Sequence, residues 1–400
     1  MKKCIDNRTT YMKCNKNEYC CGCEACESVC PTDAIKMIKD SEGFNYPSVN
    51  EDKCINCGRC RNVCPIDNVN LNTPIKSYVA VNNDVKVLDE STSGGVFRAL
   101  ATTVLNQGGM ICGAIIENNV VYHVLSDDIE TVRKMSGSKY VQSDIRDVYN
   151  EIKQVIKTRK VLFTGTPCQC AALKKMFKQS ENIITMDFVC HGVPSPDVFE
   201  DYIQYLEKKH KEPIQYLRFR HKSKTSCGLF DVYRTKSGKE INKPFYDSYY
   251  LSAFQMALYT RLACNKCKYA NLNRCSDVTV CDYWGVEKYH SNYDPIKGVS
   301  AIIVNTNVGE QLLDSSKNLL SIEETDIECV VRENNNLKFS TPKNINRDKY
   351  YERRLYEDFE TLAKEYMIFP GKYKYKIKAI IPYKVKKLLK RLRKLPVYFK

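Results

Sequence analysis

Long apolar runs are missing from this sequence, and their absence limits where the protein can reside. No stretch reaches the roughly 18 uninterrupted apolar residues that a membrane-spanning helix needs. The N-terminal segment MKKCIDNRTTYMKCNKNEYC also lacks the apolar core of a secretory signal. We therefore expect a cytoplasmic protein, in which the 21 cysteines are better explained as metal ligands than as disulfides.

Several common cofactor motifs are absent as well. The sequence contains neither G-x-G-x-x-G nor G-x4-G-K-S/T, which argues against an ordinary NAD-binding fold and against a P-loop. It also contains no C-x3-C-x2-C, which argues against radical chemistry on S-adenosylmethionine. With 43% hydrophobic residues in a chain of 400, we expect two or three domains instead.

Acidic residues are absent from the C-terminal segment, and this explains most of the net charge of +15. Residues 372–400 contain 12 Lys and Arg and no Asp or Glu, which leaves 15 − 12 = +3 for the remaining chain. We therefore expect no nucleic acid partner. The apolar residues of this tail predict a basic amphipathic helix, with one face formed by Ile381, Val385, Leu388, Leu389, Leu392 and Leu395. Such a helix could contact the inner face of a membrane, dock on a partner or stay solvated.

Two cysteine runs near the N-terminus share the spacing C-x2-C-x2-C-x3-C-P. The first run consists of Cys20, Cys23, Cys26 and Cys30, and the second of Cys54, Cys57, Cys60 and Cys64. In two-cluster ferredoxins the last cysteine of each run binds the other cluster, so we expect two 4Fe-4S clusters with Cys30 and Cys64 exchanged. Zinc is disfavoured, because zinc sites usually pair two C-x2-C units across a longer spacer. The out-of-register Cys21, like Cys4 and Cys14, is interpreted as a free or structural thiol.

After Pro74 the sequence alternates between strand and helix patterns, which predicts an α/β domain following an α+β ferredoxin-like domain. KVLFTG and NIITMDFV are typical of buried strands, whereas VFRALATTVL and QCAALKKMF are typical of helices. Residues 79–88 suggest a hairpin turning at Asn82 and Asn83. The predicted domains are 1–75, a larger region in two parts (76–160 and 161–345), and a helical linker with the basic tail (346–400).

Four further cysteines could form a third site. Cys168 and Cys190 follow predicted strands, at the sheet edge where α/β proteins bind ligands, and Cys264 and Cys267 form a C-x2-C pair. The alternatives are buried thiols or half of a zinc site. The turns 93–95 and 164–166 contain glycine and lead into predicted helices, where backbone N–H groups can bind phosphate. Glycine is also common in such turns for steric reasons.

Several segments together resemble the beta-subunit family of coenzyme F-420 hydrogenases and dehydrogenases. They are TSGGVFRAL, SGSKYVQSD, FTGTPCQCAALKK, VCHGVPSP, CNKCKYANLNRCSDVTVCDYWG and KGVSAIIVNT, and they span about residues 76–345. The resemblance implies an iron-sulfur flavoprotein oxidoreductase with FAD and a third 4Fe-4S cluster on Cys168, Cys190, Cys264 and Cys267. It assigns flavin contacts to Ser93, Gly94, Gly95, Ser138, Lys139, Tyr140, Asp282, Trp284 and Gly285. Cys281 stands where the family has glycine, and Cys275 or Cys281 could replace one of the four ligands.

The expected function is electron transfer between a ferredoxin-like or other redox protein and an organic acceptor such as a deazaflavin. His191 could donate a proton to a reduced substrate, or it could be a hydrogen-bonded structural histidine. Many bacterial members of the family that this chain resembles belong to polysaccharide-biosynthesis settings, and the composition and the basic tail fit that group, which implies such a setting at the membrane. Two alternatives stay open: a non-enzymatic relay subunit of a larger redox complex, and a membrane-recruited assembly protein with structural clusters.

Overall fold

The structure is a computed structural model that describes residues 11–67, 70–145, 147–222 and 230–380. The predicted amphipathic face from Ile381 to Leu395 lies outside the described residues, as does Cys4. The segment just before it, Lys372–Ile380, is helical. No helix in the described ranges is long and apolar enough to cross a membrane.

The strands and helices are numbered along the chain. The strands are β1 (Ile35–Lys39), β2 (Asn45–Val49), β3 (Lys76–Asn82), β4 (Met110–Glu117), β5 (Val120–Ser126), β6 (Val161–Thr164), β7 (Ile183–Phe188), β8 (Ile214–Phe219), β9 (Phe230–Thr235), β10 (Glu240–Pro244), β11 (Val278–Asp282), β12 (Ser300–Val304) and β13 (Leu320–Glu324). The helices are α1 (Tyr11–Cys14), α2 (Ala25–Ser28), α3 (Arg59–Val63), α4 (Val85–Glu90), α5 (Val96–Asn106), α6 (Ile129–Met135), α7 (Val148–Val155), α8 (Pro167–Met176), α9 (Pro196–His210), α10 (Tyr249–Gln255), α11 (Asn307–Ser316), α12 (Ile327–Glu333), α13 (Arg347–Arg354), α14 (Phe359–Tyr366) and α15 (Lys372–Ile380).

The two cysteine runs share one backbone conformation. In each run the residues flanking the second cysteine have positive φ, with values of 65° at Gly22 and 63° at Glu24, and of 54° at Asn56 and 74° at Gly58. Positive φ is uncommon for residues other than glycine, so its repetition indicates a constrained loop. Loops of this kind turn successive N–H groups toward one point and occur at many iron-sulfur sites.

The larger region is built on a mixed sheet that has eight strands in the described part of the chain, in the order β13-β3-β12-β11-β7-β6-β4-β5. Strands β4, β6, β7 and β11 run parallel, and helices such as α5 and α8 connect or cover them. The predicted α/β architecture is therefore confirmed. The parts predicted as 76–160 and 161–345 contribute strands to this one sheet, so they fold as a unit.

The predicted hairpin at residues 79–88 is wrong. Strand β3 pairs with β12 on one side and β13 on the other, which leaves no sheet position for a hairpin partner. The chain enters helix α4 instead, because the Asp84 carboxylate accepts hydrogen bonds from the N–H groups of Lys86 (2.8 Å) and Val87 (3.3 Å). Asp84 is thus a helix N-cap rather than a turn residue between strands.

A second, smaller sheet packs beside the first one. Strands β8, β9 and β10 form an antiparallel sheet with α9 and α10, and their shared core is rich in tyrosine. Helices α13 and α14 contribute Tyr350, Tyr351 and Leu362 to this core. The segment predicted as a helical linker is therefore helical, and it packs into the larger domain.

The N-terminal region is anchored to the larger domain by buried polar contacts. Glu42, in the turn between β1 and β2, accepts two hydrogen bonds from the fully buried guanidinium of Arg347, at 2.8 and 2.5 Å. Tyr269 Oη donates to the carbonyl of Pro65 at 2.5 Å, and Asn72 forms a β-bridge with Arg274. Both cysteine runs are thus held in fixed positions against the sheet.

Candidate redox site

Three cysteines of the first run lie next to the last cysteine of the second run. Burial raises the pKa of Cys26, and the neighbouring thiols of Cys23, Cys20 and Cys64 raise it further. Burial also raises the pKa of Cys64 to about 12, with additional contributions from Cys23 and Cys20. The structure therefore brings together the four thiols that the spacing assigns to one cluster. Their binding of that cluster stays a prediction.

The remaining cysteines of the two runs lie nearer the surface. Cys57 is exposed, and its thiol adds to the effect of burial in raising the pKa of Cys60. Cys30 Sγ accepts a hydrogen bond from the N–H of Ala34 at 3.2 Å, and Cys54 Sγ lies 3.9 Å from Asn56 Oδ1. The assignment of Cys30, Cys54, Cys57 and Cys60 to a second cluster rests on their spacing.

The four cysteines predicted for a third cluster line one cavity. Cys168 lies in the first turn of α8, Cys190 follows β7, and Cys264 and Cys267 lie in and after the helical turn 262–266. Burial raises the pKa of Cys190 well above its ordinary value, and the thiols of Cys264, Cys168 and Cys267 raise it further. The pKa of Cys267 is raised to about 11, by burial and then by Cys168. The fold thus collects these thiols from three separate segments.

Cys21 belongs to the same cavity, which the sequence interpretation missed. Its thiol and that of Cys168 shift each other's pKa and line the same cavity, and its carbonyl accepts a hydrogen bond from Gln142 Nε2 at 3.3 Å. Cys21 directly follows Cys20 of the first run. The first cysteine run is therefore adjacent to the third set of cysteines. The consecutive residues Cys20 and Cys21 are the feature of the sequence that could have indicated this.

The two surplus cysteines near this set occupy different positions. Cys275 is buried, and its Sγ donates to the carbonyl of Pro167 at 3.2 Å. Cys281 is in β11 and lines the cavity, and burial raises its pKa, with Asp282 adding to the shift. Of these two alternatives to the four predicted ligands, Cys281 alone lies among the cavity residues.

The cavity has a volume of about 810 Å³ and extends from these cysteines along the sheet edge. This volume falls within the range of about 300–1,000 Å³ that is typical of small-molecule sites. Six of the predicted flavin-contacting residues line it: Ser93, Ser138, Lys139, Tyr140, Asp282 and Trp284. The turn 164–166 lines it as well, whereas Gly94, Gly95 and Gly285 do not.

Gly94 has a packing role that accounts for its identity. A Cβ at this position would lie 2.4 Å from the carbonyl oxygen of Ala80 and 2.7 Å from the backbone nitrogen of Ser300. Its N–H donates to Ser300 Oγ at 2.9 Å. Gly95, with a φ of 75°, is the N-cap residue that precedes α5. Ser93 lines the cavity, whereas Gly94 and Gly95 do not. The two glycines fix the backbone that carries Ser93.

An arginine that sequence reasoning did not single out dominates the polar side of the cavity. Arg220 forms a bidentate ion pair with Asp282, and its guanidinium lies 5.6 Å from the ring centre of Trp284. Tyr140 also bonds to Arg220. Arg220 thus orients Asp282, Trp284 and Tyr140, which the resemblance assigns to the flavin. It lies far from all three in sequence, so no local motif indicated it.

Lys139 uses its side chain to cap a helix. Its Nζ donates to the carbonyl oxygens of Lys134, Met135 and Ser136, at 2.9, 2.7 and 3.1 Å. Burial lowers the pKa of Lys139 to about 7, with Arg218 adding to the shift. The three carbonyls at the C-terminal end of α6 favour the cation, and they occupy all three donors of the ammonium group. A ligand could meet only the backbone or methylene groups of Lys139.

Two histidines line the cavity. Burial lowers the pKa of His191, and Asp282 and Asn336 partly offset that shift. The carbonyl of His191 accepts a hydrogen bond from Thr341 Oγ1 at 3.0 Å. His123 stacks on Phe163, and burial lowers its pKa to about 4. His123 Nε2 bonds the carbonyl of Thr164 at 3.1 Å, whereas its buried Nδ1 has no hydrogen-bond partner.

The residues around the cavity fit the groups that the resemblance implies. Thiolate sulfur is the usual ligand of 4Fe-4S clusters, and the third set supplies four thiols. The aromatic faces of Trp284 and Tyr140 and the free Nδ1 of His123 suit an aromatic cofactor with polar ring atoms. In the described ranges no three His, Cys, Asp or Glu side chains converge closely enough to hold a single metal ion. Cluster thiolates bind different iron atoms and are spread more widely.

Comparison with known proteins confirms the resemblance. Residues 158–329 match the family model for the C terminus of the beta subunit of coenzyme F420 hydrogenase/dehydrogenase, and residues 19–68 match that of the 4Fe-4S dicluster domain. One of the subunits of the F(420)H(2) dehydrogenase of Methanosarcina mazei is 26% identical over 330 residues, which cover 77% of this chain and 85% of that protein. A chain of the F420-reducing NiFe hydrogenase complex from Methanosarcina barkeri has a TM-score of 0.45 at 16% identity, over 72% of this chain and 94% of that chain. These matches support an iron-sulfur protein of the oxidoreductase, electron-transfer type that is similar to coenzyme F420 hydrogenase/dehydrogenase beta subunits.

Proposed function

We propose that this chain passes electrons between a ferredoxin-type partner and a small organic acceptor, with two N-terminal 4Fe-4S clusters, a third at the cavity, and FAD within it. The observation that carries the proposal is the cavity itself. The third cysteine set and most of the predicted flavin-contacting residues open into one space, and the first cysteine run packs directly against it. Iron-sulfur clusters carry single electrons, and a flavin can exchange them singly or in pairs.

The side chains of this cavity would each have a defined task. Cys168, Cys190, Cys264 and Cys267 would hold the third cluster, and Trp284, Tyr140 and Ser93 would contact the flavin. Arg220 and Asp282 would orient these contacts through their ion pair. His191, which lines the cavity beside Cys190, would donate a proton to a reduced acceptor.

The acceptor is proposed from chemistry and from the relatives. The F420-linked names of the relatives support a deazaflavin or a similar planar, redox-active small molecule. Electron flow in either direction is compatible with the same residues. A polysaccharide-biosynthesis setting and membrane contact through residues 372–400 rest on composition and on the basic tail alone.

Anaerobic purification with iron, sulfide and flavin quantification tests this proposal. We expect about 12 irons and one flavin per chain. The Cys264→Ser variant should lose about four of these irons, whereas Cys329→Ser, a cysteine in α12 away from the cavity, should lose none. About eight irons and no flavin in the native chain would refute the third cluster and the flavin site, and would leave a relay subunit.

A further inference from the structure

Arg261 is fully buried where the N-terminal region packs against the larger domain. Its Nε donates to the carbonyl of Cys20 at 2.6 Å, and its Nη2 donates to Cys20 Sγ at 3.4 Å and to the carbonyl of Asn45 at 2.8 Å. Nη1 donates to Gln142 Oε1 at 3.1 Å. One side chain of the larger domain therefore binds both the backbone and the thiol of a first-run cysteine.

The position of Arg261 is fixed from several directions. Its guanidinium lies 4.1 Å from the ring centre of Tyr46 and 5.2 Å from that of Phe44. The backbone N–H of Arg261 donates to the carbonyl of Val193 at 3.0 Å, and the backbone carbonyl of Arg261 accepts from the N–H of Cys264 at 3.0 Å. The same short segment thus carries the arginine that contacts Cys20 and a predicted ligand of the third cluster.

The charge of this arginine requires a partner, because an isolated buried cation is strongly unfavourable. Its hydrogen-bond partners in the described part of the chain are carbonyls, an amide and a thiol, with no carboxylate among them. Cys20 Sγ lies 3.4 Å from Arg261 Nη2, and as a ligand of the proposed cluster it would be a thiolate that supplies negative charge beside the guanidinium.

We infer that Arg261 is a positioning residue that raises the reduction potential of the first N-terminal cluster, through its cation and its N–H contact with Cys20 Sγ. The inference rests on the proposed binding of a cluster by Cys20, Cys23, Cys26 and Cys64. Reduction adds negative charge to a group already bound by four thiolates. A nearby cation and hydrogen bonds to sulfur stabilise the reduced form and shift the potential upward.

Redox titration of the purified chain, followed by electron paramagnetic resonance, tests this role with Arg261→Lys. Lysine is shorter and unforked, so its charge is withdrawn from Cys20 Sγ and the planar contacts with Cys20 and Tyr46 are lost. We expect iron content to be retained and one cluster signal to titrate at a more negative potential. An unchanged potential in an iron-replete variant would overturn the inference.

Arg347→Lys is the matched control. Arg347 is also fully buried, also stacks on a tyrosine and also anchors the N-terminal region, but it contacts no cysteine in the described structure. We expect it to lower the unfolding midpoint without shifting any cluster potential. Equal shifts in both variants would show that looser domain packing is the cause, and would also overturn the inference.

Gln142→Glu decides the question if Arg261→Lys fails to assemble its clusters. This near-isosteric change places a carboxylate against the Arg261 guanidinium and should shift the same signal to a more negative potential, whereas an unshifted signal overturns the inference. The measurement concerns an N-terminal cluster, so it can be made on a chain with about eight irons as well as about twelve. Failure of the third cluster or of the flavin site is therefore distinguishable from failure of the role of Arg261.

Discussion

The buried ion pair between Asp187 and Arg274 should be essential to the packing of β7 beneath the segment of Cys190. The two side chains are 0% and 1% exposed, and Arg274 Nη2 lies 3.0 Å from Asp187 Oδ1. Asp187 is the next-to-last residue of β7, and Cys190 lies three residues after it. Arg274 directly precedes Cys275. Replacing Arg274 with methionine would leave a buried carboxylate without its counter-ion.

Substitution of Arg274 should lower the free energy of unfolding more than substitution of Asp187. Arg274 has other acceptors, since its guanidinium also donates to the carbonyls of Tyr269 (2.7 Å) and Phe188 (3.1 Å). The carboxylate oxygens of Asp187 have no aligned hydrogen bond and depend on the charge of Arg274. Removing one partner of a buried pair costs about 3–5 kcal/mol, so Arg274→Met should fall in this range. Asp187→Asn should cost only about 1–3 kcal/mol, because Arg274 keeps its carbonyl partners.

Urea-induced unfolding of the anaerobic holoprotein, followed by far-ultraviolet circular dichroism and cluster absorbance, measures both effects. The double variant Asp187→Asn with Arg274→Met removes both charges, so it should be more stable than Arg274→Met alone. The reasoning is refuted if Arg274→Met costs less than about 1 kcal/mol, or if the double variant loses the sum of the two single effects.

Three further outcomes follow from single positions. Gly94→Ala should lower the unfolding free energy by about 1–3 kcal/mol, because its Cβ would collide with backbone atoms of β3 and β12; flavin loss at unchanged stability would instead indicate a ligand contact. His123 has a folded pKa of about 4 and an unfolded pKa of about 6.5, so it is neutral in the native state and its contribution to stability is present above pH 6.5 and lost as pH falls. The stability of the native chain relative to His123→Gln should therefore fall by about 2 kcal/mol between roughly pH 7.5 and 5, and a constant difference would contradict the assignment. Arg220→Met should release flavin several-fold more readily, as measured by bound flavin absorbance, because Asp282 loses its bidentate partner; full flavin retention would count against this role.

Local patterns in the sequence predicted the parts of this molecule that depend on local structure. The cysteine spacing located both runs, and the apolar runs located β6, β7 and the helices that follow the glycine turns. The hairpin error arose because Asn82 and Asn83 suit a turn, whereas the partners of β3 come from strands more than 200 residues away. Arg220 and Arg261 were missed for the same reason, since each acts on residues distant in sequence. Gly94 was predicted as a flavin contact, and that stays a prediction; what the structure shows there is close backbone packing against Ala80 and Ser300.

The fixed attachment of the N-terminal region bears on the proposed electron path. Exposed Cys57 lies where a partner protein can approach, the first-run thiols lie at the buried junction, and the third set opens into the cavity. The rate of electron transfer falls steeply with distance. A flexible attachment of the N-terminal region would therefore make the rate between the first cluster and the cavity vary. Arg261 and Arg347 prevent this, because each joins the cysteine-bearing region to the larger domain by several buried hydrogen bonds. In the proposed function, these junction contacts would hold the first cluster at a constant distance from the cavity.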